Sequence, residues 1–385
     1  MRILHCLYYY RPHYSGLTVY TERLARALVR RGHSVTVLSA RYDRRLPAEE
    51  TLDGVRVRRA GVALFVSKGP IMPGFQPLGW SLAGDHDVIH LHVPQIDAAL
   101  LAAVARLRGK PVVMTFHCDL SLPRSPLNRL ANAASHLADR TTARLASAVV
   151  TNTRDYAEAS SLLRHHLKHL VVIPPPIEVT APTAIEVANF RARLGVLPGQ
   201  KVIGMAARLA TEKGAEILAQ AMPVIGERYP QARVVYVGQY RDVMGEEAYA
   251  RRLQPMLDAL GDRWTFLGVL PGSEMGTFYG ACDVTVLPSL NSTESFGMVQ
   301  VKSMACGTPV VASDLPGVRQ PTAMTGMGRT VPPGDARALA QALVEVLDQP
   351  ERFAGDPLAV AARFSSEAVA EEYEALYTSL QGRAG

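Results

Sequence analysis

The sequence predicts an α/β protein of two domains, each built on a parallel β-sheet with helices on both faces. Three observations carry that prediction. Short apolar runs alternate with amphipathic stretches along most of the chain. A run of prolines interrupts the alternation near the middle, and 385 residues are more than one hydrophobic core ordinarily serves.

Arg2–Leu7 reads as the first strand. The Ser15-Gly16 turn opens a helix whose Tyr20, Leu24 and Leu28 recur every fourth residue on one face. Gly32-His33 ends that helix, and Ser34–Ser39 is the next strand. Further strands are expected at Val88–His92, Val112–His117 and Ala148–Thr151. Ile173-Pro174-Pro175-Pro176-Ile177 can continue neither a helix nor a central strand, so it is expected to be a semi-rigid linker. The alternation restarts with Val202–Ala207, Arg233–Gly238, Trp264–Gly268, Val284–Pro288 and Pro309–Ser313. Residues 365–381 read as a closing helix with Val369, Tyr373, Leu376, Tyr377 and Leu380 on one side. The expected domains are 1–175 and 176–364, with ligands in a cleft between them.

Composition narrows the function. No apolar stretch is long enough for a membrane span, and the start has too short an apolar run for an export signal. Cys6, Cys118, Cys282 and Cys306 lie far apart with no CxxC pair, which points to reduced thiols in the cytoplasm and against a disulfide framework or zinc site. The formal charge is +6, and Arg23, Arg26, Arg30 and Arg31 fall on one early helix. Without basic-aromatic alternation this reads as a solvated helix face, not a nucleic-acid surface. Peripheral contact with an anionic membrane and an acidic acceptor both stay open as alternatives.

Two strings concentrate chemistry. In Pro288 to Val311 a strand end leads through a polar loop into a helix expected to stop at Gly307. Glu294 and Ser295 are expected at the amino end of that helix, where a carboxylate can hydrogen-bond sugar hydroxyls with charge assistance; plain helix capping is the alternative. In Gly204 to Gly214, Arg208 and Lys213 share a strand-to-helix loop and could stabilise a departing diphosphate, while Glu212 reads as a surface charge. Asp85-His86-Asp87, the one DxD match, precedes a strand, whereas ligands gather at carboxyl ends, so no metal site is expected. His117 ends a strand at its carboxyl end; Asp119 beside it reads as an acceptor contact or an N-cap, and Tyr14 as an acceptor-side residue.

The first string resembles the donor-binding signature of the family 4 glycosyltransferases, E-[S/G]-F-G-x-x-x-x-E-A-M-A-x-G-x-P-V. Glu294, Phe296, Gly297, Met304, Ala305, Gly307, Pro309 and Val310 fall on it. The second resembles the family's G-R-L-x-x-x-K-G phosphate element, with Ala207 where Gly is usual, and Thr115-Phe116-His117 resembles its T-x-H element. The resemblance implies the GT-B fold, two Rossmann-like domains with parallel sheets facing across a cleft. It also implies that helix 365–381 packs back onto the N-terminal, acceptor-binding domain, and that 176–364 binds the nucleotide-sugar donor. The implied activity is metal-independent transfer with retained anomeric configuration, without a cofactor. UDP or GDP would carry the sugar, and a glycan, lipid-linked or small-molecule acceptor would receive it.

Residue by residue, the resemblance implies catalytic roles for His117, Arg208, Lys213 and Glu294. It implies donor contacts at Gly16, Gly238, Val269, Leu270, Ser295, Phe296, Gly297, Met298 and Lys302. The second glutamate of the signature is here Lys302, and an ammonium cannot accept the hydrogen bonds that a donor ribose offers. A catalytically weak nucleotide-binding protein, or a transferase with an unusual donor, is therefore the alternative reading.

Overall fold

Every strand that the alternation predicts is present, its ends within two residues of those expected. The computed structural model describes residues 1–66, 69–119 and 126–382. They divide into two compact units, Met1–Pro176 with Ser365–Gly385, and Ile177–Phe364.

The N-terminal unit runs β1 (Arg2–Cys6), α1 (Gly16–Arg30), β2 (Ser34–Arg41), β3 (Glu49–Leu52), β4 (Val55–Gly61), β5 (Leu64–Val66), β6 (Gly69–Ile71), α2 (Phe75–Asp85), β7 (Val88–Val93), α3 (Ala98–Leu107), β8 (Val112–Phe116), α4 (Pro126–Leu145), β9 (Ala148–Thr151), α5 (Arg154–Ala159) and β10 (Leu170–Val172). Its main sheet has the order β10-β9-β8-β7-β1-β2-β4-β3 and is parallel except where β3 pairs with β4. The chain starts on β1, builds outward through β2, then returns to β7 on β1's other side. Strand order reverses there, and loops leaving β1 and β7 diverge at their carboxyl ends.

Strand β7 is buried along its whole length although it carries His90 and His92. At its start, the Asp87 carboxylate takes the Arg2 guanidinium at 2.7 Å, and the buried His86 ring bridges the Leu82 carbonyl and the Thr36 hydroxyl. The Asp85-His86-Asp87 turn is thus occupied by contacts that start a strand.

The proline run falls where the two units divide, and it is buried throughout. Ile173 N–H donates to Thr151 O, Arg23 donates to Pro176 O, and Ile177 N–H donates to Phe364 O. The prolines bring no N–H into the interior that would need a partner, which lets such a run be buried. Of the arginines of α1, Arg23 is buried, whereas Arg30 and Arg31 lie at the surface as expected. The helix Ser366–Gln381 belongs to the N-terminal unit, and Arg30 and Arg31 pair with its Glu367 and Glu374 at 2.6 and 2.5 Å.

The C-terminal unit runs α6 (Ala184–Arg193), β11 (Val202–Ala206), α7 (Ala215–Arg228), β12 (Arg233–Val237), α8 (Glu247–Leu260), β13 (Trp264–Gly268), α9 (Gly272–Ala281), β14 (Val284–Leu287), α10 (Met298–Ala305), β15 (Val310–Ser313), α11 (Gln320–Thr325), β16 (Gly328–Val331), α12 (Ala336–Asp348) and α13 (Pro357–Arg363). Its sheet is parallel with the order β13-β12-β11-β14-β15-β16. Order reverses between β11 and β14. The chain closes with α14 (Ser366–Gln381), which buries Val369, Ala370, Tyr373, Tyr377 and Leu380 in the N-terminal core.

Candidate functional site

The reversal between β11 and β14 places two loops side by side at the carboxyl ends of adjacent strands, 207–214 after β11 and 288–297 after β14. Leu290 N–H donates to Glu212 O at 2.9 Å across them. Gly214 sits at φ +67°, and a Cβ there would lie 2.1 Å from the Pro288 carbonyl oxygen. Only glycine lets the loops approach this closely.

The loops carry the residues singled out from the sequence. Lys213 Nζ meets Glu294 Oε2 at 2.7 Å, with each side chain about four-fifths covered (21% and 20% exposed). Burial acts against the Lys213 ammonium, but Glu294 and then Glu212 outweigh it and hold its pKa above the ordinary value. Glu212 is more than a surface charge: it holds the Arg208 guanidinium at 2.9 Å. Two cations and two carboxylates therefore share one strand-end site. Such a set can bind a diphosphate through the cations and sugar hydroxyls through a carboxylate.

Helix α10 begins later than expected. Gly297, at φ +80°, caps it, so Glu294 and the buried Ser295 lie in the turn before the helix. Phe296 is buried against Phe364, their rings 5.7 Å apart. Met298 is the first helical residue. Lys302 stands one turn before Cys306; its charge opposes the burial that raises the Cys306 thiol to about 12. Gly238 follows β12, its N–H donating to Gly268 O at 2.8 Å. Beyond Gly268, Val269 is 74% exposed and Leu270 packs partly into the core.

In the N-terminal unit, Gly16 opens α1, whose N-cap Ser15 accepts from Thr18 N–H at 3.2 Å. Tyr14 just before it is 70% exposed. The Asp119 carboxylate does not cap a helix. It accepts from Tyr156 (3.2 Å), Ser160 (3.3 Å) and Ser161 (3.5 Å) at the α5 end. His117 follows β8 and is almost wholly buried.

Buried polar residues that the sequence did not reveal surround this end of the sheet. Gln95 after β7, Asn152 after β9 and Asp139 on α4 each have buried polar atoms without a partner. Burial, with a smaller push from Asp119, raises the Asp139 carboxyl to about 7, against hydrogen bonds from the Gln95 backbone and Ser135. Beneath them, the rings of His5, His90, His92 and His117 cluster at centroid spacings of 4.2 to 5.2 Å. Burial pushes His5 and His117 down to about 3, and holds His90 and His92 well below the usual histidine range, so all four are neutral near pH 7. His5, His90 and His92 hold nitrogen atoms within 4.8 Å of one another, the one such ligand group among the described residues. Five of their six ring nitrogens already face a hydrogen-bond partner, and only His5 Nε2 has none.

Comparison with known proteins fits this layout. Residues 15–176 match the glycosyl transferase 4-like domain, and residues 200–349 match the glycosyl transferases group 1. The chain is 30% identical over 366 residues to the 2-deoxystreptamine N-acetyl-D-glucosaminyltransferase of Streptomyces fradiae, covering 88% of this chain and 83% of the relative. It is 30% identical over 394 residues to the D-inositol 3-phosphate glycosyltransferase of Corynebacterium urealyticum, covering 95% and 91%. Among solved structures, sucrose-phosphate synthase from Thermosynechococcus elongatus superposes with a TM-score of 0.80 at 24% identity, over 99% of both chains. The Anabaena protein HepE in complex with UDP gives 0.77 at 21% identity, over 98% of this chain and 100% of that one. The fold is GT-B, and the chain belongs to the glycosyltransferases, its first half to the 4-like type and its second to group 1.

Proposed function

We propose that this protein moves a sugar from a nucleotide diphosphate donor to an acceptor hydroxyl with retention at the anomeric carbon, without a metal ion or cofactor. The Lys213–Glu294 pair on adjacent loops carries the proposal. It couples a cation suited to the leaving diphosphate with a carboxylate suited to the hydroxyls of the transferred sugar. As the bond from C1 to the β-phosphate oxygen breaks, Arg208 and Lys213 supply the positive charge that a metal would otherwise supply. The acceptor oxygen bonds to C1 on the same face, and its proton passes to the departing phosphate oxygen. Ser295, Phe296, Gly297 and Met298 offer backbone groups to the donor, as Gly16, Gly238, Val269 and Leu270 do elsewhere. His117, Asp119 and Tyr14 serve the acceptor and the sugar from the N-terminal unit.

UDP or GDP is the nucleotide we assign, and a glycan, lipid-linked or small-molecule acceptor is the partner, with no nucleic acid involved. HepE, a structural neighbour, is itself solved with UDP and with UDP-glucose, which supports UDP. No helix among the described residues is long and apolar enough to cross a membrane. We assign a cytoplasmic location, with peripheral membrane contact where the acceptor is a lipid.

Titration calorimetry against UDP-, GDP- and ADP-sugars tests the proposal; binding to none of them would sink it. Glu294→Ala should lower kcat by about 100-fold or more with the fold intact, and near-normal turnover would show the site misassigned. Lys302 favours a second reading, a weakly catalytic nucleotide binder. If Lys302 is only a lost ribose acceptor, Lys302→Glu should tighten binding of the free nucleoside diphosphate; unchanged or weaker binding would mean that Lys302 itself contacts the donor.

A further inference from the structure

The buried histidines of the N-terminal unit are ordered as well as clustered. His5 Nδ1 lies 2.9 Å from His92 Nε2, and His92 Nδ1 lies 3.0 Å from His117 Nε2. Both nitrogens of His92 are thus engaged, one with each neighbour. The far end, His5 Nε2, is buried without a partner. His90 stands outside this line, held by Tyr377 OH and Thr115 Oγ1 at 2.7 Å each. Those hydroxyls can donate or accept, so His90 imposes no direction.

A neutral imidazole has one N–H and one lone pair. Each link needs one donor and one acceptor, and His92 has a single N–H to share between its two links. The line must therefore run one way. Donation from His117 inward would leave an N–H on His5 Nε2 buried with no acceptor. Donation from His5 outward would leave a bare lone pair there, and place the unshared N–H on His117 Nδ1. An orphaned buried N–H is the rarer condition, and an unmade acceptor contact the better tolerated.

We infer that His5, His92 and His117 form a one-way hydrogen-bond relay that fixes His117 as its Nδ1–H tautomer, so that His117 offers its substrate a hydrogen-bond donor and not a basic lone pair. His5 and His92 are then positioning residues, and the substrate atom His117 meets is an oxygen able to accept, such as a sugar hydroxyl. This rests on the reading of His117 as a substrate contact. The direction of the relay itself does not.

The relay is read in the wild-type full-length chain by long-range 1H–15N correlation of 15N-histidine-labelled protein near pH 7. All three rings should show a protonated Nδ1 and a bare Nε2. An Nε2–H on His117 or His92 would overturn the inference, with no variant needed. Variants then connect the tautomer to turnover. His92→Phe keeps a ring but removes the donor to His117; it should lower kcat roughly tenfold, the usual weight of one hydrogen bond, with the donor KM unchanged and His117 tautomers mixed. His92→Asn, whose amide N–H lies near the place of Nδ1, should recover most of that loss. Equal impairment of both variants, or none in His92→Phe, would overturn the positioning role. The two readings fail separately. His117→Ala with normal turnover removes His117 from the substrate site while the tautomers stand, and a wrong tautomer removes the relay while transfer stands.

Discussion

Asp139 shows what burial without a full set of partners does to one side chain. It is 3% exposed and its carboxyl rises to about 7, chiefly through burial and then through Asp119. A carboxyl whose folded value exceeds its unfolded one contributes stability that is fully present below about pH 4 and is lost as pH rises from there to about 7. Asp139→Asn keeps the shape without the charge. It should raise stability at pH 8 by on the order of 3 kcal/mol more than it does at pH 5, the gap opening from about pH 4 upward. Thermal melts of both proteins across that range check this; a gap that does not widen with pH would show that Asp139 is ionised at no cost. The histidines run the opposite way, since their folded values lie below the unfolded one, and they weaken the fold as pH falls from about 6.5 towards 3. Sequence made such residues hard to see. Lys213 and Glu294 stand in short strings of chemically restrictive neighbours, but His5 meets His92 across 87 positions, through a strand pairing that no local pattern announces.

At the scale of elements, the alternation of apolar runs made the parallel core legible, because strands buried on both faces read as continuous hydrophobic segments. It missed β3 and β4 for the converse reason. Val55 and Val57 point inward while Arg56 between them pairs with Glu49 at 2.7 Å, so an edge hairpin half in solvent reads as polar chain. The start of α10 was misplaced because a left-handed Gly297 interrupts a segment whose composition suits a helix. Loop contact is the more consequential device. Gly214→Ala would drive a Cβ into the Pro288 carbonyl in a backbone conformation that L residues avoid. It should cost on the order of 3 kcal/mol and weaken nucleotide binding together with stability, since the 207–214 and 288–297 loops would have to part. Urea unfolding and calorimetry on the same variant test both; full stability would mean that the loops separate freely.

At the scale of the molecule, the proline run located the division of the chain because three prolines leave few backbone options, while its burial depended on partners far away in sequence. The return of α14 is equally distant. Tyr373 OH bonds Tyr20 OH at 2.7 Å and Thr115 Oγ1 at 2.8 Å, and Tyr377 OH bonds His90. Ending the chain after Phe364 should therefore expose the α1 face and disconnect the histidine network. We expect the N-terminal unit to melt at least about 10 °C lower, as the loss of several buried aromatics implies, while the C-terminal unit, continuous from Ile177 to Phe364, keeps its transition. Calorimetric scans that show both units unchanged would remove α14 from the N-terminal core.

The same helix sets the order in which a ribosome can finish the two halves. Domains commonly fold in the sequence in which they are synthesised. Here the first half to be made lacks α14 until residues 366–381 have followed, after the last residue of the second unit, Phe364. The N-terminal unit therefore cannot complete its core before α14 has been made, and until then Tyr20 and the apolar face of α1 lack that cover.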